Sequence, residues 1–284
     1  MNYLKNFILY VLDIFYLLKI NIQNISNIKP AFQLRVLIYH DIKSDLQVKL
    51  FINQILSLKK EYEFISPFEF EQLIKMKIKP KKKYILLTFD DGFKSNKRIA
   101  EEVLNKLNIK ALFFIISDFI SMPLKSLEYE KIINNIYPNG PIKEELSEPM
   151  SFDDIKFLIS SGHQIGSHTR SHKKLSSLVN LDDLKSELIS SKTNLENIFG
   201  IKITHFAFPF GTYESIDNNS IKIISQNYEY IHSGLRGDNK KAKELIYRDA
   251  VNPEMQVLRL KSFLSGNADF FYKRKFKILK SYLN

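Results

Sequence analysis

The 284-residue sequence contains no cysteine and no tryptophan, and only nine glycines and nine prolines. The absence of cysteine excludes a disulfide framework and thiolate zinc sites, so any metal ion must be held by histidine and carboxylate side chains. It leaves the compartment open, because exported proteins need not carry disulfides. Long polar tracts, low-complexity segments and internal repeats are also missing, so the chain is expected to fold as a globular protein.

The composition allows a sizeable core, since 44% of the residues are hydrophobic and 26% are charged. A chain of this length forms one large α/β domain or two small ones. Its formal net charge of +11 suits anionic surfaces, such as phospholipid, lipid-linked sugar phosphates or nucleic acid. Nucleic acid is not expected as a partner, because no recognised motif and no interleaving of aromatic and basic residues is present.

Residues 1–20 are mostly apolar, with Lys5 near the start and Asp13 in the middle. The uninterrupted apolar run is too short to span a bilayer comfortably, and no A-x-A-like cleavage site follows it. Asn2, Asn6 and Asp13 share one side of a helical wheel and the apolar residues gather opposite, which predicts an interfacial amphipathic helix. A helix packed on the domain's own core is the alternative. Membrane association through this helix, a cytoplasmic location and export all remain open.

Alternating apolar runs and amphipathic segments predict repeated strand–helix units, which indicate a parallel sheet or barrel. We expect one domain over residues 31–255, interrupted by an insertion at 118–150 that has weak periodicity and several prolines. An N-terminal helix and a polar connector (1–30) precede it, and a basic and apolar helical tail (256–284) follows.

The stretch Tyr84–Gly92, YILLTFDDG, combines an apolar run with two adjacent carboxylates, Asp90 and Asp91. The run reads as a buried strand, and acids at the carboxyl end of such a strand lie where α/β enzymes keep their chemistry. Adjacent carboxylates repel each other unless a cation or a shared proton holds them. Taken alone, the Asp-Gly pair is equally typical of a surface turn.

His168 and His172, in the stretch HTRSH, are separated by four positions. On a helical turn this spacing places both imidazoles on one face, where they can bind one metal ion. Together with Asp91 they would form a site of two histidines and one carboxylate, which suits zinc, iron, nickel or cobalt. Asp90 would then stay free as a base for the water bound at the metal.

The stretches TFDDG (Thr88–Gly92), HTRSH (His168–His172) and the later PFG (Pro209–Gly211) resemble the motifs of the polysaccharide deacetylase superfamily, the NodB-homology domains of carbohydrate esterase family 4. In this order they cover roughly residues 34–250. The resemblance implies an α/β fold, a distorted TIM-like (β/α) barrel with fewer than eight strands. It also implies metal-dependent removal of N-acetyl groups from amino sugars.

The resemblance assigns a role to each matching residue. Asp90 would be the catalytic base, and Asp91, His168 and His172 would hold one divalent ion, zinc in the first place, with iron, nickel or cobalt as alternatives. The backbone N–H of Phe210 would stabilise the oxyanion.

Two departures from the family pattern concern the base and the general acid. Ala207, in FAFPFG, stands where the family commonly has an arginine that braces the base, and the usual late Leu-x-His is missing. Both features resemble the subgroup of poly-N-acetylglucosamine deacetylases, which implies that His40, in LIYH, is the acid. Arg248 is the candidate for the bracing arginine, His232 is the rival acid, and His205 is expected near the strand surface.

These observations predict a hydrolase of carbon–nitrogen bonds other than peptide bonds. Its substrate would be an N-acetylated amino sugar in a surface polysaccharide or in the lipid-linked precursor, with peripheral contact to an anionic membrane. One alternative keeps the fold but hydrolyses a cyclic amide or another acyl amide, and a second is a catalytically silent glycan-binding domain. The oligomeric state stays open.

Overall fold

The computed structural model describes residues 7, 10–18, 31–76, 80–140 and 148–283. The expected connector at 21–30, the remaining parts of the expected N-terminal helix, and residues 141–147 of the expected insertion lie outside these ranges.

The centre of the fold is a nine-stranded sheet within the described part of the chain, with the order β8-β7-β6-β5-β4-β3-β1-β9 and with β2 beside β3. Every pairing between these strands is parallel. The strands are β1 (Gln33–Tyr39), β2 (Glu63–Phe64), β3 (Lys83–Phe89), β4 (Leu112–Ile115), β5 (Gln164–Ser167), β6 (His205–Ala207), β7 (Tyr230–His232), β8 (Leu245–Ile246) and β9 (Asp249–Ala250).

Helices connect these strands and cover the outside of the sheet. They are α1 (Asp45–Leu58), α2 (Pro67–Lys75), α3 (Lys94–Ile99), α4 (Leu127–Ile136), α5 (Phe152–Ser160), α6 (Leu181–Lys185), α7 (Ser191–Phe199), α8 (Asn218–Asn227), α9 (Val257–Leu264) and α10 (Lys273–Ser281). A π-helical turn, Ser186–Ser190, joins α6 and α7 into one continuous helix, as the long amphipathic pattern over 181–199 predicts.

Local sequence signals explain several helix starts. Ser66 and Ser151 each accept a hydrogen bond from the third residue of the helix that follows, and that residue's carboxylate accepts from the serine backbone. Such capping boxes satisfy backbone N–H groups that have no partner inside the helix. A serine followed three positions later by an acidic residue predicts a helix start at both places, and the structure confirms both.

The expected α/β fold with a distorted barrel is confirmed, but the described sheet has nine strands rather than fewer than eight. Three of these strands, β2, β8 and β9, have only two residues each. The chain itself links the two ends of the strand order, because β8 pairs with β7, β9 pairs with β1, and only residues 247–248 lie between them. The apolar residues around 246–251 predict one short strand, but the structure has two strands here, separated by residues 247–248.

Two apolar layers lie on the two sides of the sheet. Outside it, strand residues such as Leu37 and Phe113 pack against helix residues such as Phe51 of α1. Inside the barrel, Leu34 and Leu86 contact Phe70 of α2 within one buried cluster. Helix α2 therefore closes the end of the barrel at which the strands begin, and the site must lie at the other end.

The N-terminal helix (residues 10–18) docks on the domain through its polar side. The Asp13 carboxylate accepts a 2.7 Å hydrogen bond from Arg259 Nε, and the Tyr16 hydroxyl donates to Glu61 over 3.3 Å. Among the described residues, no helix has both the length and the hydrophobicity that crossing a membrane requires. The C-terminal segment packs on the domain, since Leu260 and Leu264 of α9 are fully buried.

Candidate active site

The two adjacent carboxylates lie directly after β3, at the carboxyl end of the barrel. Asp90 and Asp91 are only 3% and 2% exposed. Asp91 has a left-handed backbone with φ of 75°, and Gly92 follows with φ of 87°. A non-glycine residue with positive φ stores strain, and such residues cluster at functional sites. The surface-turn alternative is thus wrong, because both carboxylates are buried.

The segment from His168 to His172 follows β5 as an irregular loop, so the expected helical turn is wrong. Thr169 and His172 both have positive φ, at 66° and 60°, and Thr169 Oγ1 accepts a 2.9 Å hydrogen bond from His172 N. The tight loop nevertheless brings both imidazoles to one place. Asp91 Oδ1 lies 3.5 Å from His168 Nε2 and 3.6 Å from His172 Nε2.

These three side chains form a donor set that fits one divalent ion. Their ligand atoms all lie within 4.8 Å of one another and all three residues are buried. His168 Nδ1 is 2.7 Å from Ala207 O and His172 Nδ1 is 3.2 Å from Asn135 O, so both Nδ1–H groups donate to main-chain carbonyls and both Nε2 atoms face Asp91.

Asp90 forms a buried, bidentate ion pair with Arg248. Arg248 Nη1 donates to Asp90 Oδ1 over 2.7 Å and Nη2 donates to Oδ2 over 2.9 Å. Further bonds from Arg248 reach Thr88 Oγ1 (3.2 Å) and Ser233 O (3.0 Å), and its guanidinium lies 4.8 Å from the ring centroid of Phe114. Arg248 thus occupies a fixed position beside the base candidate, although it comes from the far end of the chain.

Charges and burial oppose each other at both carboxylates. Burial alone would raise the pKa of the Asp90 carboxyl, but the Arg248 guanidinium and the His168 imidazole hold that pKa below its usual value. Burial is likewise outweighed at Asp91, whose pKa is lowered by its contacts with His168 and His172. Both acids are therefore ionised at neutral pH. Burial lowers the pKa of His172 to about 4, so this imidazole is neutral, as a metal ligand must be.

A cavity of about 360 Å³ lies over these residues, within the size range of small-ligand sites. Its wall includes Phe210, whose φ of 63° turns the backbone and whose ring packs edge-on to His172 with centroids 5.1 Å apart. At Gly211 a Cβ atom would lie 2.3 Å from Gly234 N, so no larger residue fits there. Tyr137 and Ile136 bring the expected insertion to the rim of the same cavity.

The two candidates for the general acid are placed very differently. His40 directly follows β1, is exposed, and lines the cavity together with Asp90 and Asp91. His232 is fully buried inside the barrel and does not line that cavity. The geometry therefore supports His40 over His232.

Sequence reasoning missed the buried chain that holds His232. His205 Nδ1 is 2.8 Å from His232 Nε2, and His205 Nε2 is 3.0 Å from Glu71 Oε1. The expectation that His205 lies near the surface is wrong, because α2 covers this end of the barrel and buries it completely. The pKa of His232 lies well below its ordinary value because of burial and of the neighbouring His205 and Arg248. The pKa of His205 is also lowered by burial, so both imidazoles are neutral and the chain is a structural element beneath the site.

The second contact that sequence reasoning missed is Asn135. Its backbone carbonyl orients His172, and its side-chain amide donates a 2.7 Å hydrogen bond to Ser171 O. Because the contact to the imidazole uses a main-chain atom, no residue type in the sequence could signal it.

The comparison with known proteins agrees with these sequence motifs. The sequence profile described as polysaccharide deacetylase matches residues 77–228, more than half of the chain. The chain belongs to the polysaccharide deacetylase family. Members of this family are hydrolases of carbon–nitrogen bonds other than peptide bonds and are generally metal-dependent. The matched range contains Asp90, Asp91, His168 and His172, whereas His40 and Arg248 lie outside it.

One curated relative is the Bacillus subtilis (strain 168) protein YxkH, which is named as a polysaccharide deacetylase. It is 29% identical over 190 residues, which cover 65% of this chain and 59% of YxkH. The matching part of the chain therefore spans less than two thirds of that relative.

Solved structures show the same fold. IcaB from Ammonifex degensii aligns with a TM-score of 0.65 at 22% identity, over 82% of this chain and 99% of IcaB. The Streptococcus pyogenes deacetylase PplD, solved in complex with acetate, aligns with a TM-score of 0.65 at 20% identity, over 82% and 98% of the two chains.

Proposed function

We propose that the chain is a metal-dependent deacetylase that hydrolyses the N-acetyl group of an amino sugar in a surface polysaccharide or its lipid-linked precursor. One observation carries the proposal: Asp91, His168 and His172 converge in a cavity where a second carboxylate, Asp90, is held by a different partner. Family membership supports the reaction class, and the donor set of two histidines and one carboxylate suits zinc, with iron, nickel or cobalt as alternatives.

The residues divide the reaction between them. Asp91 and the two histidines would hold a divalent ion, which would supply Lewis-acid polarisation of the acetamide carbonyl and of the attacking water. Asp90 accepts the water's proton during attack, since its carboxylate stays ionised and is oriented by Arg248. The backbone N–H of Phe210 donates to the developing oxyanion. His40 then donates a proton to the leaving amine, so that the amine departs neutral.

Acetate release from a panel of N-acetylated oligosaccharides, with and without a chelator, tests this proposal. We expect release that stops on chelation and returns with zinc. Asp90→Asn should abolish turnover while the protein still binds one ion per chain by elemental analysis, whereas His168→Ala should lose the ion as well. Asp153→Asn is the matched control, because Asp153 is an exposed residue of α5.

Two other results would point to the alternatives. Opening of cyclic amides by a metal-loaded protein that releases no acetate from any sugar would assign a different amide substrate. Glycan binding without any hydrolysis would assign a binding domain.

A further inference from the structure

We propose that Glu187, in the π-helical turn between α6 and α7, is a positioning residue that sets the affinity of the site for its metal ion. Glu187 is outside the donor set and would act through the loop that carries His168 and His172. The inference rests on the proposed function only in that it takes these two histidines and Asp91 as the metal ligands.

The Glu187 carboxylate binds the segment between the two histidines. Its Oε2 atom accepts hydrogen bonds from Arg170 N over 3.1 Å and from Ser171 N over 2.8 Å, and its Oε1 atom accepts one from the Ser171 hydroxyl. Glu187 is only 3% exposed, so water has little access to these bonds. The Lys173 ammonium lies 3.7 Å from Oε1, so the buried carboxylate has a cation beside it.

The loop needs support from outside because its backbone is strained. Thr169 and His172, on the two sides of the segment that Glu187 holds, both have positive φ. Residues other than glycine avoid this region unless the surrounding structure holds them there. Without that support the loop would also adopt other conformations, in which the two imidazoles no longer both face Asp91.

Several elements hold this loop, and Glu187 makes the most bonds to its centre. Ser191 Oγ donates to Thr169 O over 2.9 Å, and Asn135 Nδ2 donates to Ser171 O over 2.7 Å. The N–H, the carbonyl and the hydroxyl of Ser171 are thus all bonded to residues outside the loop, and Glu187 accepts from two of them. Hydrogen bonds to a carboxylate are stronger than those between neutral groups, so the loss of Glu187 should loosen the loop most.

The effect of a looser loop should appear in the metal affinity. An ion binds only those conformations in which both Nε2 atoms face Asp91, so the apparent Kd rises as the fraction of these conformations falls. Loss of a residue that orients metal ligands typically weakens metal binding by about 10–100-fold. We expect a loss in this range when Glu187 no longer holds Ser171.

Titration of the metal-free full chain with zinc, in competition with a chromophoric chelator, measures this affinity without any substrate. Glu187→Ala should raise the Kd for zinc by about 10–100-fold. Glu187→Gln should stay close to the parental Kd, because its amide oxygen can still accept from Ser171 N and its NH2 group can donate to the Ser171 hydroxyl.

The matched control is Glu196→Ala in α7. Glu196 Oε1 accepts a 2.9 Å hydrogen bond from Ile203 N, so this variant also removes a carboxylate that binds a backbone N–H, but away from the metal-binding loop. It should lower Tm and keep the parental Kd for zinc. Every titration is made at a temperature at which circular dichroism shows the variant to be folded.

Two results would overturn the proposal. One is a folded Glu187→Ala protein with the parental Kd for zinc, and the other is an equal rise of Kd in Glu196→Ala, which would assign the effect to lost stability alone. If Glu187→Ala does not fold, Glu187→Asp and Ser171→Ala replace it, since one shortens the carboxylate side chain and the other removes the hydroxyl that binds it. Both should raise the Kd, and parental values in both would count against the proposal.

The same proteins separate this inference from the proposed function. The zinc concentration that gives half-maximal acetate release should rise in Glu187→Ala by the same factor as the Kd. A parent that binds zinc but releases no acetate would count against the deacetylase function while the comparison of Kd values still decides the role of Glu187. A parent that binds no zinc would overturn both.

Discussion

Replacement of Arg248 by methionine should expose how far the site depends on one buried ion pair. The substitution leaves the Asp90 carboxylate buried, 3% exposed, without the two bonds of 2.7 and 2.9 Å that now hold it. Breaking a buried pair by removing one partner costs about 3–5 kcal/mol of unfolding free energy. For a chain of this size that lowers Tm by roughly 6–20 °C.

The unfolding free energy that Arg248→Met loses should depend on pH in a defined direction. In the parent, the pKa of Asp90 is depressed, so its contribution to stability is present above the unfolded-state pKa and is lost as pH falls through the folded-state pKa. Without Arg248, burial raises the pKa of Asp90 instead, so the folded variant binds a proton before the unfolded chain does. The stability gap between variant and parent should therefore shrink as pH falls from 7 towards about 4.

Denaturant titrations at several pH values and at a fixed zinc concentration measure this stability gap. The pH profile of kcat/KM for Arg248→Met should have its acidic limb at higher pH than that of the parent. Asp90→Asn combined with Arg248→Met should regain most of the stability, because no unpaired charge remains. Arg98→Met, which removes a partly exposed arginine with two surface ion pairs from α3, should change little. An Arg248→Met protein with parental Tm and an unchanged pH profile would refute the reasoning.

Three further predictions concern the rest of the site. His40→Ala should lower kcat by about 100-fold or more without loss of metal, whereas His232→Phe should keep the shape of the pH–rate profile; a parental rate for His40→Ala would exclude its role as acid. Gly211→Ala should lower the free energy of unfolding by roughly 2–5 kcal/mol in denaturant titration, because φ is +64° and the added Cβ would collide with the backbone of Gly234. A stable, active variant would show that the backbone can move to relieve this collision. Chelation should lower Tm, because the ion binds the folded site, and zinc should restore it in a concentration-dependent way; a Tm indifferent to both would mean that no ion is held.

The parts of the site that follow from sequence are those with a local signature. An apolar run ending in Asp90 and Asp91 predicts their position at a strand end, and β3 ends at Phe89 as expected. The helix starts at Ser66 and Ser151 were predictable because capping uses residues three positions apart. The family resemblance and the fold class are confirmed, whereas the roles of the site residues stay predictions.

The parts that could not be predicted depend on contacts between distant segments or on backbone geometry. The loop at Thr169 folds through left-handed residues, which no residue type in HTRSH requires. The chain from Glu71 through His205 to His232 exists only because β6 and β7 pair with Ala207 opposite His232 and because α2 closes the barrel. Strands β8 and β9 are too short to show a period of two.

Arg248 occupies a special place in the connectivity, because it lies in the two-residue link between β8 and β9. One of these strands is added to β7 and the other to β1, so the arginine is in position only after both edges of the sheet have paired. Catalytic competence is thereby coupled to completion of the barrel.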